Sequence, residues 1–226
     1  MCGRFAVTRE TPDLIGVLEG LGSLSDNFNV APTTPIAAVR EWKGERHMET
    51  PRWGFVPSFY KSFDQRPQPI NARVETVATS GMFRKGFANS RCIVPARGYF
   101  EWQVRQDGKQ PYFISAPESA LAMAGVMTAW RDPAKADDDP DRWRLSVAII
   151  TRDAHVAPGE VHDRMPACLT PDAYDDWLGD HLSADQLLSL LDRSSAEVAH
   201  ELTHWEVSRD VNSVRNNGPQ LIEPLA

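Results

Sequence analysis

Residues 91–102 read RCIVPARGYFEW. The first four form a short apolar run with two β-branched members, Ile93 and Val94. After the Pro95 and Gly98 breaks a second run, 98–104, resumes with Glu101 set among aromatics. The same texture recurs at residues 35–42, 112–115, 121–128, 145–151 and 205–211, bounded by Gly, Pro or Asp clusters rather than by long helical periods. Short strands punctuated in this way predict mostly antiparallel pairing.

Helical signals are fewer. Thr11-Pro12-Asp13 is an N-cap with Pro at the first helical position, and Leu14, Ile15, Leu18 and Leu21 share one face behind it. Thr170-Pro171-Asp172 repeats the device ahead of Tyr174, Trp177 and Leu178, Ser183 opens a further helix carrying Leu187, Leu188, Leu190 and Leu191, and a short helix is expected over 74–78. Strands and helices without βαβ alternation make the expected class α+β. No repeat or linker divides the chain, so one domain over residues 1–226 is expected. Residues 132–141 (DPAKADDDPD) should form a mobile acidic loop between two strands.

The 226 residues are 42% hydrophobic and 24% charged, the balance of a folded globular chain. Mean hydropathy is −0.40 and no run of about 18 apolar residues exists, so no membrane partner is expected. The first thirty residues carry Glu10, Asp13, Glu19 and Asp26 through their apolar positions, unlike a secretory signal. Cys2, Cys92 and Cys168 are too scattered for a disulfide framework or a metal knuckle. A reducing, cytoplasmic location and a monomer are expected.

The net charge of −7 argues, taken alone, against nucleic acid, but it is unevenly spread. Between Arg52 and Arg97 eight cations face only Asp64 and Glu75, a net +6 that leaves −13 for the rest. Trp53, Phe55, Phe59, Tyr60, Phe63, Phe83 and Phe87 lie in the same stretch. Cations interleaved with flat rings suit a single-stranded nucleic-acid groove; the plainer reading is a solvated face over core aromatics.

The chain opens Met1-Cys2-Gly3-Arg4-Phe5. Cys is small enough at position 2 for the initiator Met to be removed, which exposes a 1,2-aminothiol. Its amine, with a reference pKa of about 7.7–8.0, is substantially neutral at physiological pH, and its thiol is a strong nucleophile. The amine attacks an aldehyde to give a Schiff base, and the thiol then closes a thiazolidine ring, which no internal Cys can do. The alternative is a frayed terminus with an incidental Cys.

Three further signals carry chemistry. Asn71 follows a Pro-rich stretch and by itself reads as a turn former. A partly desolvated Glu101 would titrate near neutrality and move protons, unless it simply faces water. His162, in HDRMP, is suited to proton transfer, and Arg164 beside it to an anion. A competing pattern, His200-Glu201-Leu202-Thr203-His204, satisfies H-E-x-x-H. It binds zinc only when both His share a continuous helix, and the strand signal at Trp205 argues against that. Ser194 and Glu197 fit a capping box, allowing a helix to begin there.

Taken together, MCGRF, APTTP, RWGFVPSF, INAR, RCIVPARGYFEW, HDRMP and VNSVRNNGP, in that order from Met1 to about Pro224, resemble the SRAP (SOS response-associated peptidase) family. The resemblance implies an α+β fold on a strongly curved, mostly antiparallel, barrel-like sheet with peripheral helices. It also implies covalent capture of abasic sites in single-stranded DNA, with no cofactor and a weak AP-lyase side activity. By resemblance Cys2 is the nucleophile and Asn71 positions its amine. Glu101 and His162 move the protons, Arg4, Arg73 and Arg164 bind phosphates, and Trp53 and Trp102 line the groove. The second reading is a thiol peptidase using Cys2 and His162.

Overall fold

The computed structural model describes residues 2–11 and 23–225. The helix expected after Pro12 lies outside the described residues, as does Met1. The 91–102 stretch proves to be where the chain changes sheets. Strand β7 (Arg91–Ala96) belongs to one sheet, and β8 (Gly98–Arg105) begins two residues later in another.

The smaller sheet contains β1 (Phe5–Val7), β2 (Asn27–Val30), β8, β9 (Gly108–Ser115) and β14 (Thr203–Glu206), in the order β14-β9-β8-β1-β2. The larger sheet is built on β10 (Leu121–Arg131) and β11 (Trp143–Asp153). Its other members are β3 (Ala38–Trp42), β4 (Glu45–Glu49), β7 and β12 (Arg164–Pro166), in the order β12-β11-β10-β7-β3-β4. The short β13 (Cys168–Leu169) adds to β10. Pairing is antiparallel except where β5 (Arg52–Trp53) and β6 (Asn71–Arg73) run parallel to β11. The expected α+β class stands: a curled, half-barrel mixed sheet with a few helices.

Side-chain alternation along the strands separates three apolar layers. Cys92 and Val94 of β7, Met123 and Met127 of β10, and Val147 and Ile149 of β11 join Tyr99 and Cys2 between the sheets. The intervening Ile93, Ala124, Val126, Ala148 and Ile150 turn to the other face, under the helices. Those helices are α1 (Val74–Val77), α2 (Arg84–Asn89), α4 (Tyr174–Leu178) and α5 (Ala184–Glu201). The remaining helix, α3 (Val156–Val161), leads to His162. Phe100 and Phe113 of the small sheet face a third layer closed by Val207, Val211 and Leu221 of the C-terminal segment.

The expected strand over 205–211 ends at Glu206, and residues Arg209–Asn212 form a 3-10 turn instead. There Val207 and Val211 bury their side chains without extending the sheet. Ser194 does not start a helix: α5 already runs from the Ser183–Gln186 capping box, and the Ser194 hydroxyl lies 2.8 Å from that of Thr170. The acidic loop is laced by ion pairs, Arg131 and Arg142 meeting Asp137 while Lys135 reaches Asp139 and Asp141.

The basic, aromatic stretch 52–97 is not a groove. Trp53, Phe55, Tyr60, Phe63, Phe83 and Phe87 are buried, leaving only Phe59 of its rings exposed. Arg91 spends its guanidinium on carbonyls ending two helices: Phe87 at 2.6 Å, Ala88 at 2.9 Å, Trp177 at 2.7 Å, and Gly179. A cation over the negative ends of two helices is favourable, and its loss strands the buried acceptors of Phe87, Trp177 and Gly179. Arg91→Met should therefore cost about 3 kcal/mol, a Tm drop of roughly 10 °C in thermal unfolding. An unchanged Tm would contradict this role.

Candidate active site

The N-terminal residues reach the interior through β1. Phe5 pairs with Tyr99 and Ala6 with Gly98, and the amide of Phe100 donates to the Arg4 carbonyl at 2.9 Å. Continued by two residues, this register lays Gly3 alongside Glu101. Gly98 makes the neighbouring β8–β9 approach possible, since a Cβ there would meet the Phe113 ring and sit 2.7 Å from the Ile114 carbonyl.

Asn71 comes from the opposite side. Its strand β6 is held parallel to β11, with Asn71 opposite Ile149, and its Nδ2 donates to the Cys2 carbonyl at 2.9 Å. The Asn71 Oδ1 is buried and, among the described residues, has no hydrogen-bond partner. Cys2 is fully buried, and burial, reinforced by the nearby Glu101 carboxylate, pushes its thiol well above the ordinary value.

Glu101 is 3% exposed, and burial raises its carboxyl above the usual range. His162 Nε2 stands 4.0 Å from Glu101 Oε2. The amide of Arg164 donates to His162 Nδ1 at 2.9 Å, while Asp163 Oδ1 lies 2.8 Å from the same nitrogen. The two contacts demand opposite protonation of Nδ1. The backbone donor is fixed and Asp163 is 88% exposed, so the amide contact assigns Nδ1 as the acceptor and leaves Nε2, on the Glu101 side, as the nitrogen that carries a proton.

Past the Phe100–Arg4 hydrogen bond a cleft of about 400 Å³ opens along β8, lined by Glu101, Trp102, Lys109, His162 and Asn212. Four of the sequence-designated residues, Cys2, Asn71, Glu101 and His162, thus converge at or behind the cleft. Arg4 is half-buried behind it, holding Asn29 Oδ1 at 2.6 Å and lying 6.0 Å from the Trp102 ring centre. Arg73 is exposed at the end of β6.

Two expectations change. Trp53 does not line a groove: it is fully buried, edge-on to Phe5 at 5.1 Å, with Nε1 bonded to the Ile70 carbonyl at 2.9 Å. It supports β1 and the Asn71 strand from within. Arg164 is already held by Glu75 and by Asp153 at 2.6 Å, and it keeps the Glu75 carboxyl below its ordinary range. An arriving phosphate would have to displace or share those carboxylates.

The HELTH pattern is broken by the fold. His200 lies in the last turn of α5, its Nδ1 2.7 Å from the Ala196 carbonyl, whereas His204 sits on β14 with Nε2 2.9 Å from Glu160. Among the described residues no cluster of three or more His, Cys, Asp or Glu could hold a metal ion, and no helix is long and apolar enough to cross a membrane.

A family model described as SOS response associated peptidase (SRAP) matches residues 1–214. The chain belongs to the SRAP family. Similar relatives include the abasic site processing protein YedK of Escherichia coli (strain K12), 32% identical over 238 residues and covering all of both chains. The abasic site processing protein YoqW of Bacillus subtilis (strain 168) is 34% identical over 232 residues, covering 99% of each. A crystal structure of a Bacteroides thetaiotaomicron protein shares the fold, with a TM-score of 0.81, 23% identity and full coverage of both chains.

Within this SRAP cleft the sequence reading missed Lys109 and Asn212. Asn212 stands in the VNSVRNNGP motif without an obvious role, and Lys109 enters only through the β8–β9 register that sets it opposite Val104.

The raised Glu101 carboxyl has a stability consequence. Its proton is bound more tightly folded than unfolded, so this contribution is full below the unfolded value of about 4.3 and is lost as pH rises through the folded value. Glu101→Gln should raise Tm at neutral pH, with the gap over wild type narrowing toward pH ~4. A Tm lowered at neutral pH would contradict the assignment of burial as the dominant cause.

Proposed function

We propose that this chain captures abasic sites in single-stranded DNA by forming a thiazolidine through Cys2 once Met1 has been removed. The observation that carries this reading is the convergence of Cys2, Asn71 and Glu101: Asn71 clasps the Cys2 carbonyl at 2.9 Å, beside a buried carboxyl of raised pKa. The names of the relatives, abasic site processing proteins, point the same way.

The chemistry divides among the residues as follows. An abasic sugar exchanges between a closed hemiacetal and an open aldehyde, and opening moves a proton from the sugar hydroxyl to the ring oxygen. A carboxyl whose pKa burial has raised both accepts and donates that proton, with His162 Nε2 nearby as the second carrier. The freed Cys2 amine adds to the aldehyde carbon, and the carbinolamine oxygen leaves as water after protonation. Asn71 Oδ1 supplies an acceptor for an amine N–H. The thiol sulphur then adds to the imine carbon and its proton passes to the ring nitrogen by way of Glu101. One C–N and one C–S bond form, and one water is lost. The imine is also the species from which β-elimination would cleave the strand, the weak lyase branch.

A thiol raised by burial is a poor thiolate, which disfavours attack on a neutral amide and hence the peptidase reading. An iminium carbon is a far better electrophile and accepts the neutral thiol as its proton leaves.

Mixing the protein with a single strand carrying one abasic site should give a heat-stable shifted band on a denaturing gel. Cys2→Ser should abolish the heat-stable band, and Glu101→Gln should slow its appearance by about 10²–10⁴-fold. Undiminished adduct from Cys2→Ser would overturn the proposal.

A further inference from the structure

Tyr99 carries a polar group that neither the fold nor the capture chemistry above puts to use. It is fully buried, and among the described residues its hydroxyl has no hydrogen-bond partner. A buried phenol is normally bonded, because an unmatched hydroxyl has given up water for nothing. Packing does not explain it either. The ring alone fills the space between Phe5, opposite in β1, and Ile114, opposite in β9.

Strand alternation puts Tyr99 and Glu101 on one face of β8, and that face looks into the layer that holds Cys2. Burial first, and then the charges of Cys168, Cys2 and Glu101 close by, raise the phenol well above its ordinary value. It therefore keeps its proton at any working pH and has a hydrogen bond to give. The Cys168 thiol already has a partner, the Pro166 carbonyl at 3.7 Å. Cys2 is less well served: burial and the Glu101 charge hold its thiol neutral, and a hydrogen bond from the Arg4 amide works against them. A sulphur that must shed its proton in closing a ring gains from a second donor.

We infer that the Tyr99 hydroxyl donates a hydrogen bond to the Cys2 sulphur as the thiazolidine closes, which makes Tyr99 a further residue of the site, one that serves the sulphur step alone. The inference deepens the proposed capture and rests on it for the identity of the reaction. As the thiol adds to the imine carbon, the C–S bond forms and the S–H bond breaks. The C=N π pair moves onto nitrogen, which receives the proton by way of Glu101. Negative charge grows on sulphur while that proton is leaving, and the phenol O–H stabilises the charge without giving up its own proton. The bond is absent while the thiol is neutral and forms as charge develops. Only an interaction stronger in the transition state than in the resting state accelerates a step.

Tyr99→Phe removes the hydroxyl and keeps the ring. Reaction with a single strand carrying one abasic site, quenched with borohydride at intervals, separates the two steps. Borohydride reduces the imine to a stable amine and leaves the thiazolidine as it is, and mass spectrometry tells the adducts apart by the added hydrogens. Tyr99→Phe should form total adduct at the wild-type rate but close the ring about 10-fold more slowly, so that reducible imine accumulates. Its Tm should not fall below wild type, because the lost hydroxyl had no partner. A merely structural role would lower Tm and leave the ratio of imine to ring unchanged. Cys168→Ala, which removes the other sulphur near the phenol, should close the ring at the wild-type rate. Wild-type closure in Tyr99→Phe, or equal slowing in Cys168→Ala, would overturn the inference and leave capture standing. Wild-type protein that forms neither adduct would remove the capture reading, and this inference with it.

Discussion

Two backbone hydrogen bonds, from Phe100 N–H to the Arg4 carbonyl at 2.9 Å and from Arg97 N–H to the Ala6 carbonyl at 2.8 Å, bind the N-terminal strand to β8. Without them Cys2 would belong to a free end, the ordinary fate of a second residue. With them, Cys2 is placed in the layer between the sheets, next to strands β8 and β11 that were built from distant parts of the chain. Trp53 braces the arrangement through Phe5 and through the Ile70 carbonyl, one residue before Asn71. The same ring therefore supports both sides of the clasp.

Burial gives the site its chemical character. It raises Cys2, Glu101 and Tyr99 together, so this corner of the core holds protons that the same groups in water would release earlier. A carboxyl whose affinity for its proton is raised by burial is useful for opening a sugar ring and for releasing water, and its ionised form is a burden on the fold. The cations nearby are arranged around this core rather than spread over a surface. Arg4 donates to the Val211 carbonyl of the C-terminal segment, Arg91 ends two helices, and Arg164 sits between Glu75 and Asp153.

The α+β class was legible because the apolar runs are short and strongly bounded. The long strands β10 and β11 were found as the apolar runs 121–128 and 145–151, each shorter than the strand it belongs to. β5, β6, β12 and β13 were not legible: each has two or three residues and exists only because a neighbouring strand offers an edge. The clasp residues Cys2, Asn71, Glu101 and His162 were found through motif resemblance, since spacing alone gave each an ordinary explanation. The basic, aromatic stretch misled for the opposite reason. Composition does not distinguish a ring that faces solvent from one that faces the core, and Phe55, Phe63 and Phe87 face the core. Lys109 was hidden because its place at the cleft depends on strand register across a hairpin.

The most direct test of the account is mass spectrometry of the protein–DNA adduct after nuclease and protease digestion. The account predicts an N-terminal peptide beginning at Cys2, lacking Met1, joined to one deoxyribose with the loss of one water, and resistant to borohydride because no imine remains. An adduct mapped to an internal lysine, or an N-terminal peptide that retains Met1 in fully reacted protein, would contradict it.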